Sequence, residues 1–246
     1  MVARVDQATD PAVVADLATV RLGTAFFRRA LNRVRDEELG GPSALPDWDR
    51  NHVIAHVGYN ARALARLVDW AATGIETPMY ESTQARNDEI EFGATLNSEA
   101  LRNLVEHSAI DLDVRWRDLP DDCWSHEVRT AQGRAVPASE TVWMRSREVW
   151  LHAVDLASGA RFEQIPTEVL TRLIGDVHRT WSSRPDVAVP TLVATDADVS
   201  WGDGGDRVAG PTAILAAWAT GRLPIDRWAR DLDFGGGEAR PAPRWI

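Results

Sequence analysis

The chain is short of the features that mark special classes of protein. It has one cysteine, Cys123, so no intrachain disulfide can form and no redox compartment is implied. No run of about 18 apolar residues occurs, which excludes a membrane-spanning helix. The opening MVARVDQATD has no apolar signal core, and a cytoplasmic location is expected. Positive charge is scarce as well. Lys and Arg number 27 against 37 Asp and Glu, a net charge of −10, which argues against a general nucleic-acid binder. A local arginine can still serve an anionic small substrate in an acidic protein. H-E-x-x-H, G-x-S-x-G, C-x-x-C and the phosphate-loop lysine motif are all missing. The triple glycine at 235–237 precedes no helical pattern, so a nucleotide cofactor has no support.

What remains is a globular composition: 246 residues, 44% hydrophobic and 26% charged, enough for one large domain or two modest ones. Eleven tryptophans are spread along the chain and read as packing residues. Asp10-Pro11 starts a helix expected to run to Glu38 and to stop at Gly40-Gly41-Pro42. Its apolar face is Val14, Leu17, Val20, Leu22, Phe26, Leu31 and Val34. A second helix, capped by Asp47 or Asp49, reaches about Ala72. Glu81–Phe92 is polar and partly helical, and Arg86, Asn87 and Asp88 read as a solvated face. Ser98 opens another helix ending near Leu119-Pro120. Asp121–Pro137 reads as a short hairpin with Gly133 in its turn, and Pro137–Ser158 as a helix ended by Gly159. Ser158–Pro166 looks like a junction. Beyond it come a helix over Thr167–Trp181, strands over Val187–Ala194 and Val199–Trp201, a helix opened by Gly210-Pro211, and an extended tail.

Two places break the ordinary pattern. On the second helix Val53, His56, Val57, Asn60, Leu64, Leu67 and Ala71 recur at three- and four-residue steps, so His56 lies in the middle of an apolar face. A buried imidazole needs partners for both nitrogens; a neighbouring polar group or a metal would serve. On the helix 137–158, Thr141, Arg145, Glu148, His152 and Asp155 form one polar stripe on a segment that is apolar almost all round. The stripe is either the helix's solvent face or an inward one. Glu148 and His152 are one turn apart, a spacing at which carboxylate and imidazole share a divalent ion. His56 favours the inward alternative, because an inward imidazole and an inward Glu/His pair can meet. Cys123 has no sequence-adjacent His or Asn and reads as structural.

These residues carry a resemblance. His56 within WDRNHVIAHVGYNARAL, the Glu148-x-x-x-His152-x-x-Asp155 helix and the WATGRLP segment together resemble the mycothiol-dependent maleylpyruvate isomerase family. The likeness covers nearly the whole chain. It implies an α+β protein: a DinB-like four-helix bundle over 1–160, and a smaller α/β domain over 161–246 that contributes to the active-site cleft. It implies His56, Glu148 and His152 as ligands of Zn2+ or another divalent metal. DinB-like sites commonly use three histidines, and Glu148 stands in one of those places.

The cofactors implied are the metal and mycothiol. The partners implied are a small-molecule dicarboxylate substrate and a thiol; no nucleic acid or membrane partner is expected, and the oligomeric state, monomer included, is left open. Three protein ligands leave a fourth position for the thiol, whose pKa zinc would lower. The thiolate would add to the cis double bond, allow rotation and leave, converting maleylpyruvate into fumarylpyruvate. Arg222, in the GR pair, is implied as an active-site arginine for a carboxylate. Asp155 is placed either to orient a ligand or as a surface charge, and Arg145 and Arg86 would add positive field. Rival readings are a mycothiol S-transferase acting on electrophiles, a non-catalytic metal-stabilised binding protein, and a metal-dependent hydrolase.

Overall fold

A computed structural model describes residues 5–245. The chain divides into two compact units between Gly159 and Ala160. The class is α+β, with eight α-helices and two small sheets among the described residues.

The first unit is built on four long helices. They are α1 (Pro11–Leu31), α2 (Arg50–Thr73), α4 (Ser98–Asp118) and α5 (Glu140–Asp155), with the shorter α3 (Thr83–Ala94) laid on α2. Three starts are set by side-chain caps. Asp10 accepts from the Ala12 amide at 2.8 Å, with Pro11 already in the helix. Asp49 accepts from the His52 amide at 3.0 Å, and Asn97 from the Ala100 amide at 2.9 Å. Gly74 ends α2 in the left-handed region at φ 72°. The principal pairs are α2 with α4 and α1 with α5, and α2 also packs on α5. Two glycines let helices approach closely. A Cβ on Gly23 would fall 2.6 Å from Trp150 Nε1, and one on Gly58 would fall 2.6 Å from Leu104 Cγ.

The first helix is shorter than its pattern suggests. It closes at Leu31, and a 3-10 turn over Asp36–Glu38 follows, held by the Arg35–Glu38 pair. Of its expected apolar face, Val14 and Leu22 are exposed, while Val13, Phe27 and Ala30 are buried. The hairpin is present as β1 (Glu127–Arg129) against β2 (Ala135–Pro137), antiparallel with Val128 opposite Val136.

The second unit pairs α6 (Thr167–Ser182) and α7 (Thr212–Ala219) with a three-stranded sheet. Strand β3 (Thr191–Ala194) is central, antiparallel to β4 (Val199–Trp201) and parallel to β5 (Arg207–Gly210). Strand β5 and a last short helix, α8 (Ile225–Asp231), had no counterpart in the sequence pattern. Trp181 and Trp218 meet edge-on at 6.1 Å in this core, and Phe234 joins them at 6.0 Å from Trp218. No helix among the described residues is long and apolar enough to cross a membrane.

Candidate metal centre

The inner face of α5 holds the polar stripe. Thr141 and Asp155 are fully buried and Arg145 is 1% exposed, so the stripe is not a solvent face. The hairpin positions this helix: the amides of Ala138 and Ser139 donate to the carbonyls of His126 and Trp124. One turn in, Thr141 Oγ1 donates to Ala138 O at 2.6 Å and accepts from Trp116 Nε1 at 3.0 Å. From there the 3.6-residue period sets Arg145, Glu148, His152 and Asp155 in line toward α2.

Across from them His56 is buried, 6% exposed. His56 Nε2 lies 2.7 Å from Glu148 Oε2, and His152 Nε2 lies 3.1 Å from the same oxygen. The two imidazoles meet edge-on with centroids 4.9 Å apart. One donor atom from each of the three residues lies within 4.8 Å of the others. Ligands about 2.0–2.1 Å from a tetrahedral ion stand roughly 3.3 Å from one another, so the two contacts to Glu148 Oε2 would each lengthen by well under an ångström to share one ion. Two imidazoles and a carboxylate are also the donor chemistry that zinc and similar divalent ions take. Behind the triad, His152 Nδ1 lies 2.8 Å from Asp155 Oδ2, and the Asp155 carbonyl accepts from the Ala44 amide at 2.8 Å. Asp155 is therefore a buried partner of the imidazole and not a surface charge; such a contact fixes ring orientation and tautomer.

The charges within the cluster shift one another. Burial would raise the Glu148 carboxyl, but the two histidines outweigh it and hold it well below the usual range. Burial would also lower His152, yet its bonds to Asp155 and Glu148 dominate and push it up to about 9. His56 is depressed, chiefly by burial, with Glu148 opposing and His152 and Arg86 adding to the fall.

Other side chains close around the triad. Arg145 Nη1 donates to Val57 O at 2.6 Å and Asn60 Oδ1 at 2.9 Å, bolting α5 to α2 one turn from the ligands. Its Nη2 has no hydrogen-bond partner, and burial lowers the guanidinium pKa to about 10. Trp48 tilts over His56 with centroids 5.4 Å apart. Arg86 is half-buried, its Nη2 3.4 Å from His56 Nδ1, so the expected solvated face is in part an inward one; Asn87 and Asp88 are exposed. Tyr80 and Trp48 were not legible as site residues. Only the scarcity of tyrosine, two in the chain, set Tyr80 apart.

Arg222 lies in the second unit, just after Gly221 at the end of α7. Its amide donates to Ala217 O at 2.7 Å and its Nη1 to Thr220 O at 2.9 Å. Cys123 is buried, and burial raises its thiol pKa, so it is a poor source of thiolate.

A helical bundle with a His/Glu/His donor set between two of its inner helices defines a class of metal-site bundle proteins. The particular family follows from sequence. The family described as Mycothiol maleylpyruvate isomerase N-terminal domain matches residues 20–157, and the chain belongs to it. Two solved structures agree over nearly the full length. A crystal structure of the mycothiol-dependent maleylpyruvate isomerase is 46% identical, with a TM-score of 0.89, covering 95% of this chain and 97% of that one. A histidine-to-alanine mutant of the mycothiol-dependent maleylpyruvate isomerase is 45% identical with the same TM-score and coverage. Among curated proteins no match is found.

Proposed function

We propose that this protein is a mycothiol-dependent maleylpyruvate isomerase acting in the cytoplasm. The observation that carries the reading is the 45–46% identity to that enzyme over 95% of the chain. The His56/Glu148/His152 donor set supports it, because it gives the protein a place for a divalent ion, which we assign as zinc.

Zinc would supply a Lewis acid that lowers the pKa of a bound thiol. Mycothiol would supply the thiol nucleophile for reversible addition to the conjugated double bond. The protein's own residues have narrower tasks. His56, Glu148 and His152 hold the ion. Asp155 fixes the His152 ring through the 2.8 Å contact at Nδ1. Arg145 carries fixed positive charge one turn away. Trp48 packs its ring against His56. Arg222, by its place in WATGRLP, pairs with one substrate carboxylate through two parallel hydrogen bonds. Cys123 takes no part.

The test is turnover of maleylpyruvate to fumarylpyruvate by the metal-loaded protein. It should require added mycothiol and survive Cys123→Ala. No isomerisation, with a stable conjugate formed instead from a chlorobimane, would make the protein an S-transferase.

A further inference from the structure

Arg86, in the first turn of α3, works against metal binding where it stands. Its Nη2 is 3.4 Å from His56 Nδ1, and its Nη1 is 3.2 Å from Asn87 Oδ1. It makes no ion pair with a carboxylate among the described residues. A guanidinium beside a metal-ligating imidazole repels the cation that the imidazole serves. The next turn of α3 brings Glu89, which does not reach Arg86 as an ion pair. Glu89 Oε2 is itself buried without a partner. Arg145, on the other side, adds a second buried positive charge with no carboxylate in hydrogen-bond contact. Arg86 and Arg145 thus bring two guanidinium groups close to the triad, neither of them hydrogen-bonded to a carboxylate.

Tyr80 stands within electrostatic reach of both Arg86 and Glu148. Its ring is held from behind by Arg66, whose guanidinium carbon is 5.7 Å from the ring centroid. Arg66 is fixed in turn by donating from Nε to Met79 O at 2.9 Å. The Tyr80 hydroxyl, by contrast, makes no hydrogen bond to another described residue, and the residue is half-exposed. A clamped ring with an idle hydroxyl and a half-buried arginine with no anion are what a carboxylate would satisfy together.

We propose that Arg86 and Tyr80 receive one carboxylate of a dicarboxylate substrate beside the His56/Glu148/His152 triad. The guanidinium pairs with the anion and the phenol donates to it. The inference rests on the isomerase reading above and adds two substrate-binding residues to it.

The experiment uses the metal-loaded full chain and succinylpyruvate, the saturated analogue of maleylpyruvate, as an unreactive probe followed by titration calorimetry. Arg86→Met should weaken binding at least ~10-fold, as expected for a lost charged hydrogen bond. Arg86→Lys should recover part of this, and Tyr80→Phe should weaken binding by a smaller factor. Metal content measured by elemental analysis should equal or exceed the wild type in Arg86→Met, because a repelling charge has gone. Unchanged probe affinity in Arg86→Met would overturn the proposal. So would loss of the metal from that variant, which would make Arg86 a support of His56 instead. Wild-type turnover separates the two readings. If the wild type isomerises maleylpyruvate with mycothiol while Arg86→Met binds the probe normally, only this inference falls. If the wild type isomerises nothing, the isomerase reading falls and takes this inference with it.

Discussion

Helices α5 and α6 are both 16 residues long and both lie against the core of their unit, yet they spend their polar residues in opposite ways. Helix α6 buries Val169, Leu170, Leu173, Ile174, Val177 and Trp181, and its charged residues reach water or the rim. Helix α5 buries apolar residues too, but it also takes Thr141, Arg145 and Asp155 out of water, with His152 12% and Glu148 24% exposed. Burying charge costs several kcal/mol per group unless partners replace the water. On α5 the carboxylate of Asp155, the hydroxyl of Thr141 and Arg145 Nη1 find such partners, while Arg145 Nη2, Ser146 Oγ and Trp150 Nε1 do not. The pattern of α6 is explained by folding alone, whereas that of α5 requires a further use, and a divalent ion is the simplest one.

The sharpest way to break this contrast is to empty the donor set. His56→Ala should remove most of the bound metal, seen by elemental analysis, and lower kcat/KM about 10^3-fold, since a bound metal contributes several kcal/mol to such chemistry. A chelator should do the same to the wild type, with recovery on adding zinc. Retained metal and activity in His56→Ala would reduce the α5 stripe to a buried polar network.

The matching change on α6 should touch stability and nothing else. Leu173 is 2% exposed. Leu173→Ala should cost about 2–5 kcal/mol in denaturant unfolding, as large-to-small core changes do. Metal content should not change. Loss of metal with Leu173→Ala would mean that the two helices do not differ as argued.

How far the contrast could be read from sequence depends on the signal each residue leaves. Helices α2, α4 and α6 announced themselves by apolar spacing, and α5 by its stripe. The class and the matching family follow the resemblance carried by His56, the Glu148–Asp155 helix and WATGRLP. Other elements left weaker traces. NRVRDEEL after Leu31 has no glycine or proline to stop a helix, and the end is set by contacts: Arg102, from α4, donates to Leu31 O and Val34 O. Strand β5, RVAG, is four residues long and gains its structure from pairing with β3. Arg86 read as solvated because α3 is polar. What draws that helix inward is small: Ile90 is buried, and Gly93 lies so close to α2 that a Cβ would come 2.7 Å from Ala55 Cβ. Such close approaches are invisible to periodicity.

A milder change tests the support behind the donor set. Asp155→Asn keeps the shape but removes the charge facing His152 Nδ1, 2.8 Å away. Outer partners of metal-ligating histidines are typically worth 10–100-fold. Metal affinity, read by competition with a chromophoric chelator, should fall by that factor while unfolding stability changes little. An unchanged affinity would return Asp155 to a structural role.

The smallest expected effect is a proton count, and its sign follows from His152. In the metal-free protein this imidazole is pushed up to about 9, because Asp155 and Glu148 outweigh burial. Its proton stabilises the folded apoprotein fully below the unfolded value of about 6.5, and that contribution is lost as pH rises from about 6.5 through about 9. His56, depressed below its ordinary value, and Glu148, depressed far below its own, make their changes at lower pH. The interval above 6.5 is therefore His152's within this cluster. A ligating nitrogen must be unprotonated, so metal binding in that interval expels one proton. The apparent affinity should climb about tenfold per pH unit between about 6.5 and 9 and level off beyond. The apoprotein should lose stability over the same interval. His152→Ala should abolish both slopes, and if either persists in that variant, the proton belongs to some other group and the stripe on α5 is not the titrating element.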